Sequence, residues 1–133
     1  MKQTLAKDIM SKNVLTANNK MTVEEAMRLL VNNNITGLPV INDKGKMIGV
    51  LSEYDLIQQL SEESLSDKGL KSSIKFSKTV EAILESAPLN HIVSLFIHTK
   101  FRRIPVLNKQ GKLKGIITRR DLMRLFYYRS KLE

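Results

Sequence analysis

The sequence predicts a mixed α/β protein of the α+β kind, built from two β-α-β-β-α units packed with pseudo-two-fold symmetry. Three observations predict it. The chain repeats itself: Leu38-Pro39-Val40-Ile41-Asn42 returns as Ile104-Pro105-Val106-Leu107-Asn108, 66 positions on. An apolar stripe of helical period occurs at the same place in both copies. In each copy two short apolar runs are separated by a polar turn ending in glycine.

A strand around Val14–Thr16 opens the first copy, and Val80–Ala82 is its partner in the second. The long helix follows. Val23, Ala26, Met27, Leu30 and Val31 fall at i, i+3, i+4, i+7 and i+8, and adding 66 gives Leu89, Ile92, Val93, Phe96 and Ile97. Thr22 and Glu25 are spaced as a capping box, and Pro88 stands where a helix start loses no hydrogen bond. Leu38–Ile41 is a short strand whose Pro39 needs an unpaired backbone position. Asn42-Asp43-Lys44-Gly45 and Asn108-Lys109-Gln110-Gly111 are hairpin turns with glycine available for positive φ. Met47–Leu51 and Leu113–Ile117 are the return strands. Helices carrying Leu56, Ile57 and Leu60, and Leu122, Leu125 and Phe126, close the copies. This register divides the chain into a first repeat at 1–60, a polar connection at 61–73 and a second repeat with the C-terminal helix at 74–133. Units of this size are marginal alone, so the two are expected to share a core.

Composition removes whole classes of function. The 133 residues include no Cys, which excludes disulfide scaffolds, thiol catalysis and zinc–thiolate sites. Two His, His91 and His98, lie on one face of the second long helix without a third ligand, so boundary packing, or polar contact with a neighbouring helix, is expected rather than a metal site. No apolar run approaches a membrane span, and the start MKQTLAKDIMSKN is too polar for a secretory signal. A soluble cytoplasmic protein that binds no membrane is the expectation. The net charge of +9 is uneven: residues 1–66 hold 7 Lys+Arg and 8 Asp+Glu, residues 67–133 hold 15 and 5. Such a basic half is a solvated face or an anion site.

The segment that carries chemistry is Gly49-Val50-Leu51-Ser52-Glu53-Tyr54-Asp55, repeated as Gly115-Ile116-Ile117-Thr118-Arg119-Arg120-Asp121. A strand delivers a hydroxyl to a helix start, with a carboxylate one turn on. That arrangement suits a nucleoside: the aspartate accepts from ribose hydroxyls, while the hydroxyl and helix amides hold phosphate. The glycine lets a ligand or another backbone approach closely. Ser52-x-x-Asp55 and Thr118-x-x-Asp121 also read as capping boxes, and capping does not exclude ligand contact.

With these residues in view, the chain resembles a tandem pair of cystathionine-β-synthase (CBS) domains, a Bateman module. Carrying the resemblance are Asp8-Ile9-Met10, Ile35 through Val40, Gly45-Lys46 and Gly49 through Leu56. In the second half they are Arg102 through Val106, Gly111-Lys112 and Gly115 through Leu122. The resemblance implies a non-catalytic sensor that binds an adenosine-containing ligand (AMP, ADP, ATP, S-adenosylmethionine or cyclic di-AMP) between the repeats. It implies a homodimer and a change of conformation read by an effector protein. Asp55 and Asp121 would hold ribose, and Ser52 and Thr118 ribose or phosphate. Leu38-Pro39, Ile104-Pro105, Thr16 and Ala82 would wall the adenine pockets. No nucleophile–base pair argues for an enzyme.

The copies also differ. Ser73-Ile74-Lys75 aligns with Asp8-Ile9-Met10 only after a one-residue shift. Thr16 becomes Ala82, Thr36-Gly37 becomes Arg102-Arg103, and Glu53-Tyr54 becomes Arg119-Arg120. Arg103 and Arg119 are the candidate phosphate ligands. The arginines make the second a stronger phosphate site, preferring the more phosphorylated ligand, or they block one ligand and admit another. The tail Arg124-Leu125-Phe126-Tyr127-Tyr128-Arg129-Ser130-Lys131 supports a competing reading, a nucleic-acid-binding protein that uses its basic second half.

Overall fold

The computed structural model describes residues 3–132, with side chains described for residues 3–129. In chain order the elements are α1 (Ala6–Ile9), β1 (Ala17–Asn18), α2 (Val23–Asn33), β2 (Gly37–Ile41), β3 (Met47–Ser52), α3 (Glu53–Glu62), α4 (Asp67–Leu70), β4 (Ile83–Leu84), α5 (Leu89–His98), β5 (Arg103–Leu107), β6 (Leu113–Thr118) and α6 (Arg119–Leu132). The chain divides into two compact units. One runs from Leu15 to Val80; the other joins the segment up to Val14 to the segment from Glu81 onward. The repeats cut by sequence register and the units cut by packing therefore differ: the N-terminal segment packs with the second repeat, and residues 74–80 pack with the first.

Each unit holds one three-stranded sheet, ordered β1-β2-β3 in one and β4-β5-β6 in the other. The first strand is parallel to the second, and the second antiparallel to the third. Every pairing recurs 66 residues later, down to the irregularity between Val40 and Ile41 and between Val106 and Leu107. The opening strands lie at Ala17–Asn18 and Ile83–Leu84, later than the expected Val14–Thr16 and Val80–Ala82. Pairing starts where the chain meets the buried valine of the next strand, Ala17 opposite Val40 and Ile83 opposite Val106. This offset also accommodates the prolines. Pro39 and Pro105 precede the residues that pair with β1 and β4, so no ladder bond on that side is lost.

Turns and caps follow local chemistry. Asn42 Oδ1 accepts from the amides of Lys44 and Lys46, and Asn108 Oδ1 from those of Gln110 and Lys112, each at 3.0 Å. Gly45 and Gly111 complete the turns at φ 80° and 81°, a conformation that penalises any Cβ. Thr22 and Glu25 make the reciprocal cap of α2, both bonds at 3.2 Å. Pro88 is the N-cap of α5.

Each unit has its own apolar core. Val23, Ala26, Leu30, Leu38, Val40, Leu51, Leu56 and Ile74 fill one; Ile83, Ile92, Phe96, Ile104, Val106, Ile117 and Leu122 fill the other. The helical stripe is narrower than its apolar residues suggest. Val31 is 74% exposed and Ile97 70% exposed, because they lie one residue beyond the buried Leu30 and Phe96 and so point about 100° away. Ile57 and Met123 are likewise exposed beside buried Leu56 and Leu122. His91 and His98 are exposed rather than packed at a boundary. The connection contains the helical turn α4, whose Leu70 packs on the first core. Beside it Gln59, 2% exposed, donates to Ser73 O at 2.7 Å and accepts from the Lys75 amide at 2.8 Å. Among the described residues no helix is long and apolar enough to cross a membrane.

Candidate functional site

In each unit the last residue of the third strand caps the next helix. Ser52 Oγ accepts from the Asp55 amide at 3.2 Å, and Asp55 Oδ2 accepts from the Ser52 amide at 2.9 Å. Thr118 and Asp121 repeat this at 3.3 and 2.7 Å, and the Thr118 hydroxyl also donates to Asp121 Oδ2 at 3.1 Å. The capping reading of the motif is therefore correct. It consumes only part of each carboxylate. Within the described residues, neither Oδ1 accepts a hydrogen bond; Arg124 Nη1 lies 4.0 Å from Asp121 Oδ1. Such an oxygen, held still by its bonded twin, is a ready acceptor for a vicinal diol.

The motif glycines serve a backbone, not a ligand. Met10 and Ser11 cross β6, where Ser11 and Ile116 exchange amide bonds at 2.9 Å. Phe76 and Ser77 cross β3 likewise, and Ser77 and Val50 exchange bonds at 2.9 and 3.0 Å. A Cβ at Gly49 would strike the Ser77 carbonyl and lie 2.7 Å from the Phe76 ring; one at Gly115 would lie 2.5 Å from Met10 Sδ and 2.9 Å from Ser11 O. Met10 and Phe76 are 66 residues apart, so the copies align here without the one-residue shift that side-chain identity suggested. What repeats is the strand crossing, not the Asp-Ile-Met residues.

The remaining candidates are distributed as follows. Arg103 opens β5 with its Cα opposite Thr118, where the first unit has Gly37 opposite Ser52. Arg119 is the first residue of α6, directly after Thr118. Both arginines are exposed. These two therefore flank the Thr118–Asp121 cap. Leu38, Pro39, Ile104 and Pro105 are buried, with Leu38 and Ile104 inside the two cores. Thr16 is half-buried, immediately before β1. Arg124 belongs to the basic tail by sequence, and its i+3 spacing from Asp121 places it beside the motif. In that tail Arg129 Nη2 donates to Thr4 Oγ1 at 3.0 Å, and Tyr127 and Tyr128 meet edge to face at 5.3 Å. The Lys131 side chain lies outside the described residues.

Two stretches, residues 6–62 and 72–128, match the family model described as "CBS domain". Among curated proteins the chain is similar to the chloroplastic CBS domain-containing protein CBSX1 of Arabidopsis thaliana, 34% identical over 77% of this chain and 55% of that protein. It is also similar to the L-aspartate semialdehyde sulfurtransferase of Methanocaldococcus jannaschii, 28% identical over 92% of this chain. The chain spans 23% of that enzyme's length and about half of the plant protein's. Among solved structures, CBSX2 in complex with AMP superposes with a TM-score of 0.77, 32% identity, and coverage of 95% of this chain and 98% of that one. The domain pair of protein MJ0100, in complex with 5-methylthioadenosine and S-adenosyl-L-methionine, gives 0.67, 26% identity, and coverage of 96% and 99%.

Proposed function

Since the chain belongs to the CBS domain family, with two domains in tandem, we propose that it is a non-catalytic sensor that binds an adenosine-containing ligand at the hydroxyl–aspartate motif of one or both repeats. The observation that carries this reading is the shared cap geometry of Asp55 and Asp121. Each spends Oδ2 on its cap and holds Oδ1 ready for a ribose diol. Ser52 and Thr118, with the first amides of α3 and α6, are the proposed phosphate contacts. Thr16 and the backbone of Leu38-Pro39 and Ile104-Pro105 are the proposed adenine walls; burial of Leu38 and Ile104 leaves main-chain groups rather than their side chains for this role. The similar proteins crystallised with AMP and with S-adenosyl-L-methionine support the ligand class.

Binding is proposed to shift the conformation of the module, and a partner protein reads the shift. A ligand moves such an equilibrium only through its differential affinity for the two states. A homodimer is part of this reading. Its support is the recurrence of exposed apolar residues at equivalent places, Val31 with Ile97 and Ile57 with Met123.

Thermal shift against AMP, ADP, ATP, S-adenosylmethionine and cyclic di-AMP tests the proposal. At about 100 times Kd a single site adds about 2.7 kcal/mol, an easily measured rise in midpoint. No rise with any of them contradicts it. The nucleic-acid alternative instead requires that neutralising Arg124, Arg129 and Lys131 abolishes binding while Asp55→Ala and Asp121→Ala do not, with a steep loss of affinity with salt.

A further inference from the structure

We infer that the two motifs take different ligands: the Thr118–Asp121 motif prefers the polyphosphate form of the nucleotide, and the Ser52–Asp55 motif gives it no preference over the monophosphate. This rests on the adenosine-ligand reading above and specifies it.

The two caps are alike, so the difference lies in what surrounds them. The four positions flanking the first cap are Thr36, Gly37, Glu53 and Tyr54, a formal charge of −1; their equivalents are Arg102, Arg103, Arg119 and Arg120, a formal charge of +4. The placement is set by backbone register. Arg103 replaces Gly37 directly across the ladder from the capping hydroxyl residue, and Arg119 follows that residue in the chain. The guanidinium groups thus start from both sides of Thr118. All four arginines are exposed, and among the described residues none forms an ion pair. Arg124, where the first repeat has Gln58, adds a fifth cation 4.0 Å from Asp121 Oδ1.

Unpaired arginines clustered on a fold repel one another, and a multiply charged phosphate chain relieves that repulsion through bidentate hydrogen bonds. A monophosphate satisfies fewer of them. At the first cap Glu53 opposes each added phosphate, and Gly37 offers no side chain to receive it.

Calorimetric titration of AMP and ATP in magnesium-free buffer tests this with the full chain. In Asp55→Ala, which leaves the second motif, ATP is expected to bind at least about tenfold tighter than AMP, the worth of one or two charge-assisted hydrogen bonds. In Asp121→Ala, which leaves the first motif, ATP is expected to bind no tighter than AMP. The paired exchange Arg103→Gly with Arg119→Glu touches no buried or capping group. It gives the second motif the first motif's residues at the two positions that adjoin Thr118, across the ladder and along the chain, and is expected to abolish the ATP preference. Preference surviving that exchange, or residing in the Asp121→Ala protein, overturns the inference while leaving the ligand class intact. Failure of the unaltered chain to bind either nucleotide overturns the ligand class and the inference with it.

Discussion

Gly49 packs against Ser77, whose carbonyl oxygen occupies the space a Cβ would need, and such a Cβ would also lie 2.7 Å from the Phe76 ring. This contact fastens residues 76–77 across β3, and Met10-Ser11 fasten across β6 in the same manner over Gly115. The glycine of the ligand-like motif is thus explained by packing. Gly49→Ala is expected to lower stability by about 2–3 kcal/mol, within the range for overpacking against backbone. Gly115→Ala is expected to cost less, since its nearest obstacle is the flexible end of Met10. Urea denaturation of both variants checks the ranking.

Ser52→Ala and Thr118→Ala each remove a cap and leave one helix amide without its acceptor. Each is expected to cost about 1 kcal/mol in the absence of ligand. If the hydroxyls also touch ligand, the same variants lose affinity in titration, whereas Thr22→Ala, a cap of equal geometry on α2, loses stability alone.

Gln59 ties α3 to residues 73 and 75, and position 125, its equivalent, is leucine. Gln59→Leu strands the Ser73 carbonyl and the Lys75 amide in a part-buried place. A loss of about 1–3 kcal/mol is expected. Hydrogen exchange at the Lys75 amide should quicken, while exchange at Ser11 and Ile116 in the other unit should not.

Much of this was legible in the sequence. The offset of 66 placed both hairpins, both long helices and both capping motifs, because each depends on neighbours within a turn or a tight loop. Three features depend on distant residues and were not. The opening strands slide to Ala17 and Ile83 because Val40 and Val106 select the register. The exchange of leading segments between repeats, and the choice of a backbone rather than a ligand to approach Gly49 and Gly115, require Ser77 and Ser11 to arrive from elsewhere in the chain. The exposure of Val31 and Ile97 is set by the edge of a core that periodicity alone does not draw.

Lys20 Nζ lies 2.7 Å from Asp43 Oδ2, and Asn18 Nδ2 donates to Asp43 Oδ1 at 3.1 Å. The Lys20 hydrogen bond, then that of Asn18, hold the Asp43 carboxyl below the ordinary carboxylate range. A lowered folded value means that any stability from this pair is present above the unfolded pKa and fades as pH falls through the folded one. The groups are fully exposed, so the effect on stability is small. Titration of Asp43 by NMR is expected to give a midpoint below the ordinary carboxylate range, and Lys20→Met to raise it.

Asp55 and Asp121 are proposed to accept ribose hydroxyls as well as to cap their helices. The most direct measurement of this is calorimetric titration of AMP and ATP into the unaltered chain and into the Asp55→Ala/Asp121→Ala double variant, with circular dichroism confirming that the variant is folded. Saturable binding to the first and none to the second is expected. A folded double variant that binds nucleotide with unchanged affinity would contradict it.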